Sequence, residues 1–276
     1  MLGRIECCRG ECTVSHRRVG LEYLVAHRFH IDLLCCHCAI YVDMTTLLAL
    51  AALSAECQAT LIARKVLLTS VYCADSSLNY ASIGSRYSSG DKDGERIKIV
   101  KKTVHPQYNE ETLDYNFAIL ELETESKFPP AALNWDEDAA TEPGTVSWVR
   151  GFGAPATVDE ISGSIAFVRQ NSPVLLQAEA TILSNDDCQK ATKNRAKIFD
   201  SMLCTKGANH DACTNYDGGP LVIARDGVEY VAGVLSRPLG CIYAKNHPNV
   251  YSRVSVAREF IKPFLPDTPT IPKVAC

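Results

Sequence analysis

The sequence has no internal repeat, no low-complexity tract and no long run of one charge, which sets repeat and low-complexity architectures aside. It has no basic excess either. With 28 Lys and Arg against 32 Asp and Glu the net charge is −4, which argues against nucleic acid as the main partner. No N-x-[ST] triplet occurs, so N-glycosylation is not expected. The apolar stretch at 33–55 is long enough to raise a membrane question, but His37 and Asp43 interrupt it. An Asp at mid-membrane costs about 3 kcal/mol, so stable membrane insertion is not expected.

Cysteine, by contrast, is plentiful: the chain has 13, at positions 7, 8, 12, 35, 36, 38, 57, 73, 188, 204, 213, 241 and 276. An odd total leaves at least one thiol unpaired or paired between chains. The six in the middle suggest disulfides and an oxidising compartment. The early cluster with "CCHC" at 35–38 fits no zinc spacing, because adjacent cysteines rarely aim both sulfurs at one ion. No metal site and no cofactor are expected. Residues 1–43 carry no coherent pattern, and a mis-assigned start codon accounts for them better than any function does. Residues 44–56 read in two ways, as a short signal-peptide core without a basic flank or as a buried strand leading to Cys57. The last residues, 266–276, form a Pro-rich tail.

From Cys57 the pattern becomes regular. Short apolar runs recur at 59–71, 97–104, 117–122, 145–153, 174–183, 219–224, 229–236 and 249–255, with turn formers between them. "RDG" at 225–227, followed by an alternating run, signals a hairpin. Such strands with few helical stretches predict an all-β barrel or sandwich. "SNDDCQKATK" at 184–193 predicts a short helix capped by Ser184 or Asn185. Residues 254–265 predict a C-terminal amphipathic helix with Val256, Phe260, Ile261 and Phe264 on one face and Pro263 ending it.

Five segments resemble, in order, the motifs of the trypsin/chymotrypsin family between residues 57 and 265. They are "CQATLIARKVLLTSVYCA", "LDYNFAILEL", "VRGFG", "MLCTKGANHDACTNYDGGPLV" and "HPNVYSRVSVAREFI". The resemblance implies two packed six-stranded antiparallel β-barrels with a C-terminal helix, the completeness of the first barrel being left open. It also implies disulfides Cys57–Cys73, Cys188–Cys204 and Cys213–Cys241. A serine protease needs a hydroxyl, an imidazole and a carboxylate. The family positions for these hold Asp217, Tyr72 and Asn116, so no catalytic residue is expected and the domain resembles an inactive homologue. Asn215 stands at the oxyanion glycine, and Tyr216 replaces the Asp that pairs with a released N-terminus. Pro238, in Ser236-Arg237-Pro238, removes a backbone donor from the substrate strand. Asn249 stands where a glycine leaves room in the specificity pocket, so a partly filled pocket is implied. Asp211 matches the residue that selects basic side chains and is read as a leftover carboxylate.

Within that family, residues 82–109 and 126–153 resemble the oomycete glucanase inhibitor proteins, secreted inactive homologues that block host plant endo-β-1,3-glucanases. This implies an extracellular protein of the plant apoplast with a glucanase as its protein partner. An inactive cofactor or regulator of a protease is the alternative reading, and an active trypsin-like endopeptidase the second alternative. Asp211, Arg237 and Tyr243 are candidate binding residues. Tyr80, Arg86, Tyr87 and Lys245 are further candidates on the rim of the former cleft.

Overall fold

The structure is a computed structural model. It describes residues 49–54, 57–75, 77–136, 141–152, 172–193, 195–207, 217–237, 239 and 248–266, together with the backbone of 5–8 and 11–14. The chain divides into two units, Met1–Asp43 and Met44–Cys276. In the first, β1 (Ile5–Cys8) and β2 (Glu11–Val14) form an antiparallel hairpin whose register sets Cys7 opposite Cys12.

The second unit opens with β3 (Leu50–Ala52), part of the apolar run that reads both as a leader core and as a strand. It pairs with β4 (Gln58–Ala63) on one side and β6 (Tyr80–Ile83) on the other. With β5 (Val66–Thr69), β7 (Glu95–Val104) and β8 (Ala118–Leu122) it completes a closed barrel in the order β3-β4-β5-β8-β7-β6. The first barrel is therefore whole, and three alanine- and leucine-rich residues ahead of Cys57 close it. Strands β4 and β5 are buried along their full length, which explains why "ATLIA" and "VLLT" read as apolar runs rather than alternation, with the exposed Arg64 and Lys65 in the turn between them. On β7 the alternation breaks at a bulge between Ile99 and Lys101, where Val100 is left 54% exposed.

The second barrel uses β10 (Val146–Gly151), β11 (Leu176–Leu183), β12 (Met202–Gly207), β13 (Pro220–Arg225), β14 (Val228–Arg237) and β15 (Asn249–Arg253). Pairing of β13 with β14 closes these six into a ring, and β9 (Ala132–Leu133) adds to β14 in parallel. Asp226 and Gly227 form the two-residue β13–β14 turn with φ of 52° and 77°, the left-handed pair that suits the twist of a tight hairpin. The core of this barrel includes Val149, Ile182, Leu221, Ile223, Leu235 and Tyr251.

Among the described residues, three helices accompany the barrels. α1 (Val71–Asp75) follows β5. α2 (Asn185–Ala191) is capped by Ser184, whose Oγ accepts the Asp187 N–H at 3.0 Å. The same hydroxyl, with Lys190 nearby, holds the Asp187 carboxyl below its ordinary range. At the C-terminus α3 (Arg258–Ile261) is one turn, flanked by 3₁₀ turns at Val254–Ala257 and Lys262–Phe264. The apolar face expected here has a different phase. Val254, Ala257 and Ile261 are buried in the hydrophobic core that includes Leu61, Leu67 and Ile119, with Phe260 and Phe264 partly buried against it, while Val256 lies outside that core. The 3₁₀ turns shift each side chain about 20° per residue from α-helical phase, so a pattern read at 3.6 residues per turn drifts. Among the described residues no helix is long and apolar enough to cross a membrane.

Candidate functional site

Tyr72, Asn116 and Asp217 come from three separate elements, and the backbone brings them to one seam between the barrels. α1 buries Val71, Cys73 and Ala74 and turns Tyr72 outward, where it is 59% exposed. The helix is too short to hold itself together. Instead, the Cys57–Cys73 disulfide (Cα–Cα 5.4 Å) ties it to the start of β4, and Lys102 Nζ donates to the Ala74 carbonyl at 2.7 Å.

Asn116, two residues before the start of β8, is buried and joins the two barrels. Its Oδ1 accepts the Val71 N–H at 2.8 Å, next to Tyr72 in the first barrel. Its Nδ2 donates to Ser236 Oγ on β14 at 2.8 Å, and Ser252 Oγ on β15 donates to its carbonyl at 3.3 Å. A carboxamide suits this place because it accepts with one end and donates with the other. Asn116→Ala should cost about 2–3 kcal/mol by leaving the Val71 N–H and Ser236 without partners. Asn116→Asp should cost less, since the Ser236 hydroxyl can rotate to donate to a carboxylate. Urea midpoints of the two variants check the order.

Asp217 enters the seam by its main chain. Its carbonyl accepts the Gln58 N–H at 2.9 Å, and the Cys73 sulfur lies 3.3 Å from the same oxygen. Gly218 follows with φ 74° and donates to the Leu235 carbonyl at 3.1 Å. The residues whose backbones meet here thus carry a phenol, a carboxamide and a carboxylate. His105 is the sole histidine among the described residues, and it lies elsewhere. It is 5% exposed, its ring stacked on Tyr115 at 4.8 Å and packed against Phe260 at 4.6 Å. Burial pushes its pKa down, opposed by the Asp114 carboxylate. Asp114, a second carboxylate near Asn116 in sequence, accepts hydrogen bonds from Ser201 Oγ and the Tyr115 N–H, which accounts for its orientation.

The rim candidates fall into different places. Arg237, at the end of β14, donates to the Glu111 carbonyl at 3.3 Å and the Arg195 carbonyl at 3.5 Å, so it borders the loop before Asn116. Tyr80, Arg86 and Tyr87 belong to the β6–β7 hairpin and are engaged within it. Arg96 lies over the Tyr80 ring at 4.8 Å, Lys92 over the Tyr87 ring at 5.0 Å, and Arg86 pairs with Asp93 at 2.9 Å. That hairpin is fastened to the strand entering β11, where Leu175 N–H donates to the Arg86 carbonyl and Ser88 N–H to the Pro173 carbonyl. Sequence reading missed these local pairings because each partner is several residues away across a turn. Asn249 is buried at the start of β15. The second disulfide described, Cys188–Cys204 (Cα–Cα 6.1 Å), joins α2 to β12. Asp211, Cys213, Asn215, Tyr216, Pro238, Cys241, Tyr243 and Lys245 lie outside the described residues.

Comparison with known proteins agrees with this architecture. Residues 43–261 match the trypsin family, a span that begins ahead of Cys57 and takes in β3. Trypsin 5G1 of Aedes aegypti is 32% identical over 212 residues, covering 75% of this chain and 74% of that protein. Glucanase inhibitor protein 2 of Phytophthora infestans is 33% identical over 201 residues, covering 71% of this chain and 73% of its own length. Glucanase inhibitor protein 2 of Phytophthora sojae is 32% identical over 215 residues, covering 76% and 70%. Two closed antiparallel barrels, the order of the motifs and these matches lead to one statement of kinship: the chain belongs to the trypsin family.

Proposed function

We propose that this protein is a secreted, proteolytically inactive trypsin homologue that binds and inhibits a plant endo-β-1,3-glucanase, limiting release of glucan elicitors. The observation that carries the reading is the chemistry of the seam. An acyl transfer there needs a nucleophile with a proton acceptor beside it. A phenol takes up a proton poorly at neutral pH, and a carboxamide does not titrate. Asp217 as a carboxylate nucleophile would still need an acid/base partner, and Asn116 is committed to Val71 and Ser236. A scaffold of this kind acts through its surface. Several relatives, 31–33% identical, carry the name glucanase inhibitor protein, which points to the class of partner.

One set of measurements tests this. Purified, disulfide-bonded protein should leave peptide and ester substrates intact, fail to react with a fluorophosphonate probe, and lower hydrolysis of β-1,3-glucan by a plant endoglucanase in proportion to its concentration. Peptide turnover that disappears in Asp217→Ala would instead establish the endopeptidase reading, which the similarity to a mosquito trypsin keeps in view. Capture of a protease with no effect on any of several glucanase isoforms would establish the cofactor reading.

A further inference from the structure

The loop from His105 to Asn116 is held in an uncommon shape. Leu113 and Tyr115 both adopt left-handed backbone, with φ of 57° and 49°, although neither is glycine. Such residues persist only where their surroundings over-determine them. Here the loop is fixed from within by Tyr108 N–H to the His105 carbonyl (3.0 Å), Leu113 N–H to the Asn109 carbonyl (2.7 Å) and Asn109 N–H to the Asp114 carbonyl (3.1 Å). The anchor at its base is His105. Its ring lies between Tyr115 and Phe260 with Phe117 beside it, and its Nδ1 accepts the Gln107 N–H at 3.2 Å.

That last bond requires a neutral imidazole with its proton on Nε2, since Nδ1 must offer a lone pair. Adding a proton turns Nδ1 into a donor facing another donor, and places a charge where little water can reach it. Among the described groups, the carboxylate acting on the ring is Asp114, which favours the proton, and the Tyr115 phenol stacks on it while Tyr108 bonds the His105 carbonyl through its N–H. From α3 the contact with the ring is Phe260, at 4.6 Å between centroids.

We infer that His105 is an acid-sensitive latch: its protonation breaks the Gln107 bond and draws the ring toward water, releases residues 106–115, and weakens partner binding at the rim this loop forms. The coupling to the rim is visible. The Glu111 carbonyl anchors Arg237, and Asn116, the tie between the barrels, is the next residue but four. Tyr108 also faces this rim. Burial raises its pKa, with Glu110 and Asp75 adding to the rise and Arg237 opposing it, so these groups share one electrostatic neighbourhood. The direction of the effect follows from the folded imidazole lying below its ordinary value of about 6.5. Above that pH both folded and unfolded forms are neutral and the latch is fully closed. As pH falls through the ordinary range, the unfolded or released form takes up the proton first and the latch loses stability.

The consequence for the glucanase rests on the proposed function, but the latch itself does not, and two readouts separate them. Hydrogen exchange of amides 107–115, corrected for its intrinsic pH dependence, should rise several-fold between pH 7.5 and 5 in the natural protein. His105→Phe, which keeps the stack, and His105→Asn, whose Oδ1 keeps an acceptor for Gln107, should both remove that rise. Glucanase affinity relative to either variant should likewise fall several-fold on acidification. Equal exchange profiles in natural protein and both variants overturn the latch. A rise confined to the natural protein with no glucanase bound at any pH leaves the latch standing and removes the inhibitor function.

Discussion

Gly218→Ala should destabilise the protein by about 3–5 kcal/mol and lower its melting temperature by roughly 10 °C. Two costs add. Gly218 has φ 74°, where a Cβ costs about 1–2 kcal/mol. The larger cost is steric, because a Cβ there would lie 2.1 Å from Thr69 Oγ1, 2.4 Å from the Gln58 carbonyl and 3.2 Å from the Ser70 nitrogen. Those groups cannot yield easily. Thr69 Oγ1 donates to the Gln58 carbonyl at 2.6 Å, and both residues lie in fully buried strands. Relief must come from moving the 217–219 segment away from β4, which breaks Gln58 N–H to the Asp217 carbonyl and Gly218 N–H to the Leu235 carbonyl. Gly227 supplies the control. Its φ is 77°, yet nothing lies within 4 Å of its added Cβ, so Gly227→Ala should show the conformational cost alone, about 1 kcal/mol. Equal losses in the two variants, read from thermal or urea transitions, would show that the seam is looser than these distances indicate.

The glycine pair at 218–219 was legible in sequence as part of a motif, but the reason for Gly218 was not, because the atoms it would strike belong to Gln58, Thr69 and Ser70, far earlier in the chain. The same limit explains the rest. Strands β4 and β5 could be read directly, since burial on both faces leaves an unbroken apolar run. Strand β3 could not be told from a leader core, because "LAA" is apolar without the β-branched residues that mark strands. Asn116 was legible only as a departure from an aspartate. That it ties Val71 to Ser236 depends on how the two barrels meet. Tyr80, Arg86 and Tyr87 have the composition of interface residues, yet their own hairpin supplies each with a partner, which composition alone does not reveal.

Glu229→Ala should cost about 3–5 kcal/mol, an effect comparable to that at Gly218 but from electrostatics rather than sterics. Glu229 on β14 faces Arg150 on β10, the two strands that flank β13, with side chains only 18% and 6% exposed. Arg150 Nη1 donates to Glu229 Oε2 at 2.7 Å and Nη2 to Oε1, a bidentate pair, while Nε donates to Gln177 Oε1 at 2.7 Å. Gln177 stands directly opposite Arg150 on β11, so three strands meet through one guanidinium. Removing the carboxylate leaves an arginine that cannot lose its proton in a site mostly closed to water. The pair as a whole need not be favourable, because desolvating two ions offsets much of their attraction. The double variant Arg150→Met/Glu229→Leu should therefore lie within about 1 kcal/mol of the natural protein, far above the single variant. Urea midpoints at unchanged slope give both values. If the single change costs no more than the double, the pair behaves as a solvated surface bridge, and the second barrel draws its cohesion from Leu221, Leu235 and Tyr251 rather than from this ion pair.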